Sequence, residues 1–108
     1  MFYDKRINDM KRPSECNSLE EIREQIDAID SQIMRLFGER FLFVKEVVKY
    51  KKSDEASIIA ADRRAIVLKR RREMAIENNL NPDIFEDIYS NLIEYFIEEE
   101  LKIVKSHK

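Results

Sequence analysis

The 108-residue sequence contains one glycine, one cysteine, one histidine, two prolines and no tryptophan. Each scarcity removes a class of chemistry. A single glycine cannot build a glycine-rich phosphate loop, which needs several for close backbone approach. A single cysteine, Cys16, leaves no disulfide framework within the chain and no multi-cysteine zinc site. An unpaired thiol points to a reducing compartment, and the expected location is cytoplasmic. The one histidine, His107, is next to the last residue, which argues against a Ser-His-Asp or Cys-His nucleophile. No apolar stretch approaches the roughly 20 residues that span a bilayer. The segment Met1 to Arg12 is mixed polar and lacks the apolar core of a secretory signal. Twenty basic residues stand against 22 acidic ones, so the chain is not built to neutralise nucleic acid. What remains for function is Arg, Lys, Asp, Glu and hydroxyls. No metal and no cofactor is expected.

Good helix formers dominate the rest, and they predict an all-α protein. Residues 1–17 lack sustained periodicity and read as an N-terminal arm. Residues 18–108 read as one helical domain of three helices: long, short, long. Ser18 opens the first, with Glu21 three positions later as the second half of a capping box. Leu19, Ile22, Ile26, Ile29, Ile33, Leu36, Phe43, Val47 and Tyr50 then follow 3-4 spacing. That ladder spans roughly 48 Å as a helix, against about 26 Å for the width of a compact domain of this size. A helix that long needs a partner along much of its length. Gly38 interrupts it and suggests close helix packing. Lys52 to Ser57 is polar and reads as a connector. A second helix is predicted from Ala60 to Asn78, with Ala61, Ala65, Leu68 and Ala75 on one side and Asn79 as a left-handed cap. Asn81-Pro82 then opens a third helix. It carries Ile84, Ile88, Leu92, Phe96, Ile97, Leu101 and Val104.

Two charges fall where this pattern calls for apolar side chains. Arg40 lies between Leu36 and Phe43, and Glu100 lies between Phe96 and Val104. A charge left unpaired on a buried stripe is costly, so each needs an ion-pair partner or a ligand. On a continuous helix Arg40 and Lys51 are about 20° from a common face and roughly 16 Å apart along the axis. Two such cations can close on a small dianion. Arg23 lies roughly 25 Å from Arg40 along the helix, too far to reach that ligand from its own chain. An antiparallel partner helix would bring it close, which suggests a site shared in a symmetric dimer. Arg63, at the start of the second helix, could add a further cation. A buried Glu100 should have a raised pKa, while nearby Lys51 and Arg40 would lower it.

These residues carry a family resemblance. The run LEEIREQIDAIDSQIMRLFGERFLFVKEVVKYK resembles the first helix of the all-helical chorismate mutases. The run ADRRAIVLKRRREMAIENNLNPDIFEDIYSNLIEYFIEEEL resembles their second and third. The likeness extends over residues 13 to 104. The lead-in RPSEC and the later A-x-E-N-x-L are similar to a sub-branch that includes isochorismate-pyruvate lyases. The resemblance implies an intertwined homodimeric helical bundle with no cofactor, acting on a small dianion in aromatic amino acid biosynthesis. It implies that Arg23, from the partner protomer, and Arg40 hold the two carboxylates, that Lys51 approaches the ether oxygen, and that Arg63 completes the grip. Glu100 falls where many bacterial members have Gln and the fungal type has Glu. Arg64 stands where some bacterial mutases place a Glu that contacts the ring hydroxyl.

The chemistry so implied fits the residue inventory. Chorismate rearranges to prephenate in one pericyclic step that needs no nucleophile, metal or redox group. Arginines fixed on two carboxylates supply orientation. Lys51 and a donor at position 100 would stabilise charge growing on the ether oxygen. The implied activity is therefore chorismate mutase, with isochorismate-pyruvate lyase as the alternative on the same cations. Outside this class, the first helix alone could form a coiled-coil interaction module, or the chain could keep the fold without activity. The basic residues Arg63, Arg64, Lys69, Arg70, Arg71 and Arg72 raise a nucleic-acid reading, but they circle a helix instead of lining one face.

Overall fold

The computed structural model describes residues 11–51 and 60–106. Residues 1–10 of the expected arm, the connector at Lys52–Ser57 and His107 lie outside the described residues. Among those described the chain is helical, with no strand. Helix α1 is Leu19–Val47, α2 is Ala61–Glu77 and α3 is Pro82–Ser106. Short 3-10 turns lie at Pro13–Glu15 and Val48–Tyr50. The chain divides into two compact units between Arg40 and Phe41.

In the first unit the start of α1 is fixed by side chains. Ser18 Oγ accepts from the Glu21 amide at 3.1 Å, the expected cap. The Glu21 carboxylate reaches one residue further back than a standard capping box. It accepts from the Asn17 amide at 2.6 Å and from Lys11 Nζ at 3.1 Å. These two donors hold its pKa below the ordinary glutamate range. The Lys11 amide also donates to Gln25 Oε1, so the lead-in folds back along the first turns of α1. The part of the apolar ladder in this unit, Leu19 to Leu36, is exposed in the single chain, from Ile33 at 40% to Leu19 at 59%. A Cβ added at Gly38 would meet nothing within 4 Å, so the close packing expected there is not made among the described residues.

In the second unit α1 ends at Val47 and tightens into a 3-10 turn, closed by the Lys51 amide on the Val48 carbonyl. The β-branched pair Val47-Val48, poor at propagating a helix, sits where the tightening begins. Lys51 is therefore extended, at φ −96° and ψ 153°. The helical register that predicted a common face for Arg40 and Lys51 stops short of Lys51, and the spacing argument fails there.

Helices α2 and α3 form an antiparallel hairpin. Its turn is specified at both ends. Asn79 takes φ 61°, and the amides of Asn79 and Leu80 donate to the carbonyls of Ile76 and Ala75. This is a Schellman closure. Asn81 Oδ1 then accepts from the amides of Asp83 and Ile84, with Pro82 at the first helical position. Arg72 Nη1 crosses the turn to Asp83 at 2.7 Å and Glu86 at 3.0 Å. On α3 the fully buried residues are Phe96, Glu100 and Val104, each one turn after the last. On α2 they are Val67 and Ala75, whereas Ala61 and Ala65 are exposed. The buried face is rotated from the predicted one, because alanines mark a face weakly and one valine outweighs them in buried area.

Candidate active site

Glu100 occupies the middle of the buried α3 stripe, with a side chain only 5% exposed. Lys51 enters from the extended residue that follows α1. Its Nζ donates to Glu100 Oε2 at 3.3 Å. The two residues predicted to work together are thus in contact, although 49 positions apart in sequence. Burial pushes the Glu100 carboxyl above the ordinary glutamate range. Lys51 pulls it down through its charge and its hydrogen bond without cancelling the effect of burial. The opposition left open by the sequence is resolved in favour of desolvation.

This arrangement has a defined capacity. Protonated Glu100 is a hydroxyl donor, and the Lys51 ammonium is a second donor 3.3 Å away. An acceptor oxygen bound by both donors would lie about 2.8 Å from each, at the apex of a triangle on that 3.3 Å base. Ionised Glu100 instead satisfies Lys51 internally and offers the same oxygen only repulsion.

The other predicted cations are placed as follows. Arg63 is exposed in the first turn of α2. Arg23 is exposed on α1, and Arg40 is half-buried in its last third. Both belong to the first unit. Arg64 is committed within the hairpin, where its Nη2 donates to Ser90 Oγ at 2.8 Å and Glu94 at 3.0 Å.

Several features escaped the sequence reading. Gln32 is buried on α1, and its Oε1 accepts from Arg35 Nε, while Arg35 also pairs with Glu39. Its position three after Ile29 and four before Leu36 was the available signal. Phe41 and Phe96 stack at 4.8 Å between ring centroids, with Tyr95 tilted against both. The basic run of α2 is largely neutralised by its own chain. Arg70 pairs with Glu73 and Glu77, Arg72 with Asp83 and Glu86, and Arg71 lies over the Tyr89 ring. Those pairs lower the positive charge that α2 offers a nucleic-acid backbone, while Arg63 and Lys69 stay exposed.

Residues 22–101 match the family described as chorismate mutase type II. The chain belongs to that family. Chorismate mutases are isomerases, and the family's helical architecture agrees with the three helices found. Among curated relatives, an isochorismate pyruvate lyase of Pseudomonas aeruginosa is 39% identical over 93 residues, covering 86% of this chain and 91% of the lyase. A chorismate mutase of Methanocaldococcus jannaschii is 34% identical over 77 residues, covering 71% of this chain and 78% of that protein. The T-protein of Haemophilus influenzae is 31% identical over 71 residues, covering 66% of this chain and only 19% of its own length. In this chorismate mutase type II protein both Lys51 and Glu100, the two partners of the contact, lie inside the matched segment. Among the described residues no helix is long and apolar enough to cross a membrane.

Proposed function

We propose that this chain is a chorismate mutase whose reaction centre is the Lys51–Glu100 pair. The observation that carries the reading is a buried carboxyl with a raised pKa, 3.3 Å from an ammonium group. The reaction breaks the ether C–O bond of chorismate while a C–C bond forms, and negative charge grows on the ether oxygen. Lys51 and protonated Glu100 both donate to that oxygen, where fixed donors count most in a water-poor site. Arg40 and Arg63 from one protomer and Arg23 from its partner grip the carboxylates and hold the substrate folded. The working unit is a homodimer, and the exposed α1 ladder supports this, since such a row of apolar side chains marks an interaction surface. The proposed setting is cytoplasmic, in aromatic amino acid biosynthesis.

Glu100 donates only while protonated, so turnover falls as pH rises through its raised pKa. The Glu100→Gln substitution keeps a donor at every pH and flattens that fall. Rate measurements from pH 5 to 9 test this, and a flat wild-type profile removes Glu100 from the reaction. Loss of the donor altogether, as in Glu100→Ala, should slow turnover by about 10²–10³-fold, or roughly 2.7–4 kcal/mol.

A second reading is favoured by the Pseudomonas relative. The same cations could grip isochorismate and release salicylate and pyruvate, two products whose atoms sum to the substrate. Parallel assays with both substrates decide. Salicylate fluorescence appearing from isochorismate well ahead of chorismate loss would assign the chain to the lyase reaction.

A further inference from the structure

Glu100 shares the buried stripe of α3 with Phe96, which belongs to an aromatic cluster that has no part in the reaction proposed above. Phe96 lies four residues before Glu100 on α3, on the same stripe, and is 6% exposed. Its ring stacks on Phe41 at 4.8 Å with 23° between planes, and Tyr95 closes the side at 5.1 Å. Phe41 belongs to α1, whose continuation through the 3-10 turn carries Lys51. One stacked pair therefore ties the segment that delivers the ammonium to the helix that delivers the carboxyl. Lys45 lies over the Phe41 ring at 4.8 Å.

We propose that Phe96 is a positioning residue for the reaction: stacked on Phe41, it shields the Glu100 carboxyl from water and holds it in register with Lys51. The inference rests on the reading of Glu100 as a proton-bearing donor. Desolvation is the leading influence on this carboxyl, and the Phe96 ring, one turn away among the buried residues of α3, places a large apolar surface on its side of the helix. Of the charged groups nearby, Lys45 sits over the Phe41 ring. Lys51 contacts the carboxyl directly. On α3, Glu99 is tied to Lys102. At the start of α2, Asp62 and Arg63 are exposed, and Arg64 is held by Ser90 and Glu94. Removal of the ring thus changes hydration more than charge.

The test is a carbon-13 NMR titration of the Glu100 carboxyl in the full chain without substrate, run beside the pH profile of kcat. In Phe96→Ser, water reaches the carboxyl, and its midpoint should fall by about one pH unit, with the alkaline limb of kcat moving with it. Phe96→Leu keeps apolar cover and should hold the midpoint close to that of the unaltered chain. If Phe96→Ser does not fold, Phe41→Ser at a half-buried position carries the test, with a smaller shift in the same direction. A Glu100 midpoint that stays put in a folded serine variant overturns the proposal. A midpoint that moves while the kcat limb does not would uphold the role of Phe96 at the carboxyl and refute Glu100 as the donor.

Discussion

At the scale of the residue, two influences meet on one carboxyl. Burial raises the pKa of Glu100 and Lys51 lowers it, so Lys51→Met, which removes the second, should raise it further. A carboxyl titration by NMR reads this directly, and a midpoint that falls would contradict the assigned balance. The same shift has a consequence for stability. Between the ordinary glutamate pKa and the raised folded value, the folded chain holds a proton that the unfolded chain has lost. The contribution of Glu100 is therefore full below the ordinary pKa and is lost as pH rises through the folded value. Melting temperatures of the parent chain should decline across that window relative to Glu100→Gln. Part of this was legible in the sequence, because a charge four residues after Phe96 and four before Val104 must be buried if the stripe is. Which influence wins was not legible. It depends on how dry the carboxyl is, and the cover proposed for it joins Phe41 and Phe96, residues 55 apart in the chain.

At the scale of the element, helix ends were more legible than helix faces. Asn79 and Asn81-Pro82 announce a stop and a start through backbone preferences that act locally, and both do what those preferences dictate. Asn81→Ala should cost about 1 kcal/mol, measured by denaturant unfolding, because two α3 amides lose their acceptor. The end of α1 and the buried face of α2 were less legible. Lys51 continues the 3-4 spacing on paper, yet the chain tightens before reaching it. Ala61 and Ala65 match a stripe that tertiary packing rotates away. Gly38 lies about 200° around α1 from Leu36 and Arg40, opposite the ladder, with open space at its Cβ position. Gly38→Ala should therefore stabilise the protein by about 0.5–1 kcal/mol, seen as a higher melting temperature. A loss instead would mean that another chain approaches α1 on this side as well.

At the scale of the whole molecule, the exposed ladder is the feature that a single chain leaves unexplained. Leu19, Ile22, Ile26, Ile29, Ile33, Leu36, Phe43 and Val47 are all at least 40% exposed. A second copy covers them in the proposed dimer. A charge placed in mid-ladder, as in Ile33→Glu, should shift the protein to monomer in sedimentation and remove turnover together with the partner's Arg23. A monomer with full turnover would exclude a site shared between chains. The ladder itself was legible, because periodicity records an apolar face regardless of what covers it, and for the same reason the cover was not.

The α2–α3 hairpin carries a consequence of a different kind, in time instead of space. Its turn is closed by backbone bonds within a few residues and by the Arg72 fork to Asp83 and Glu86, all contacts between near neighbours in sequence. Short loops close quickly and need no second molecule. Refolding should therefore begin with a fast phase that ignores protein concentration. In the proposed dimer a slower phase should follow, accelerating as concentration rises, because two ladders must find each other by diffusion. The assembly rate, and with it the appearance of activity, would then be set by encounter and not by the folding of either chain.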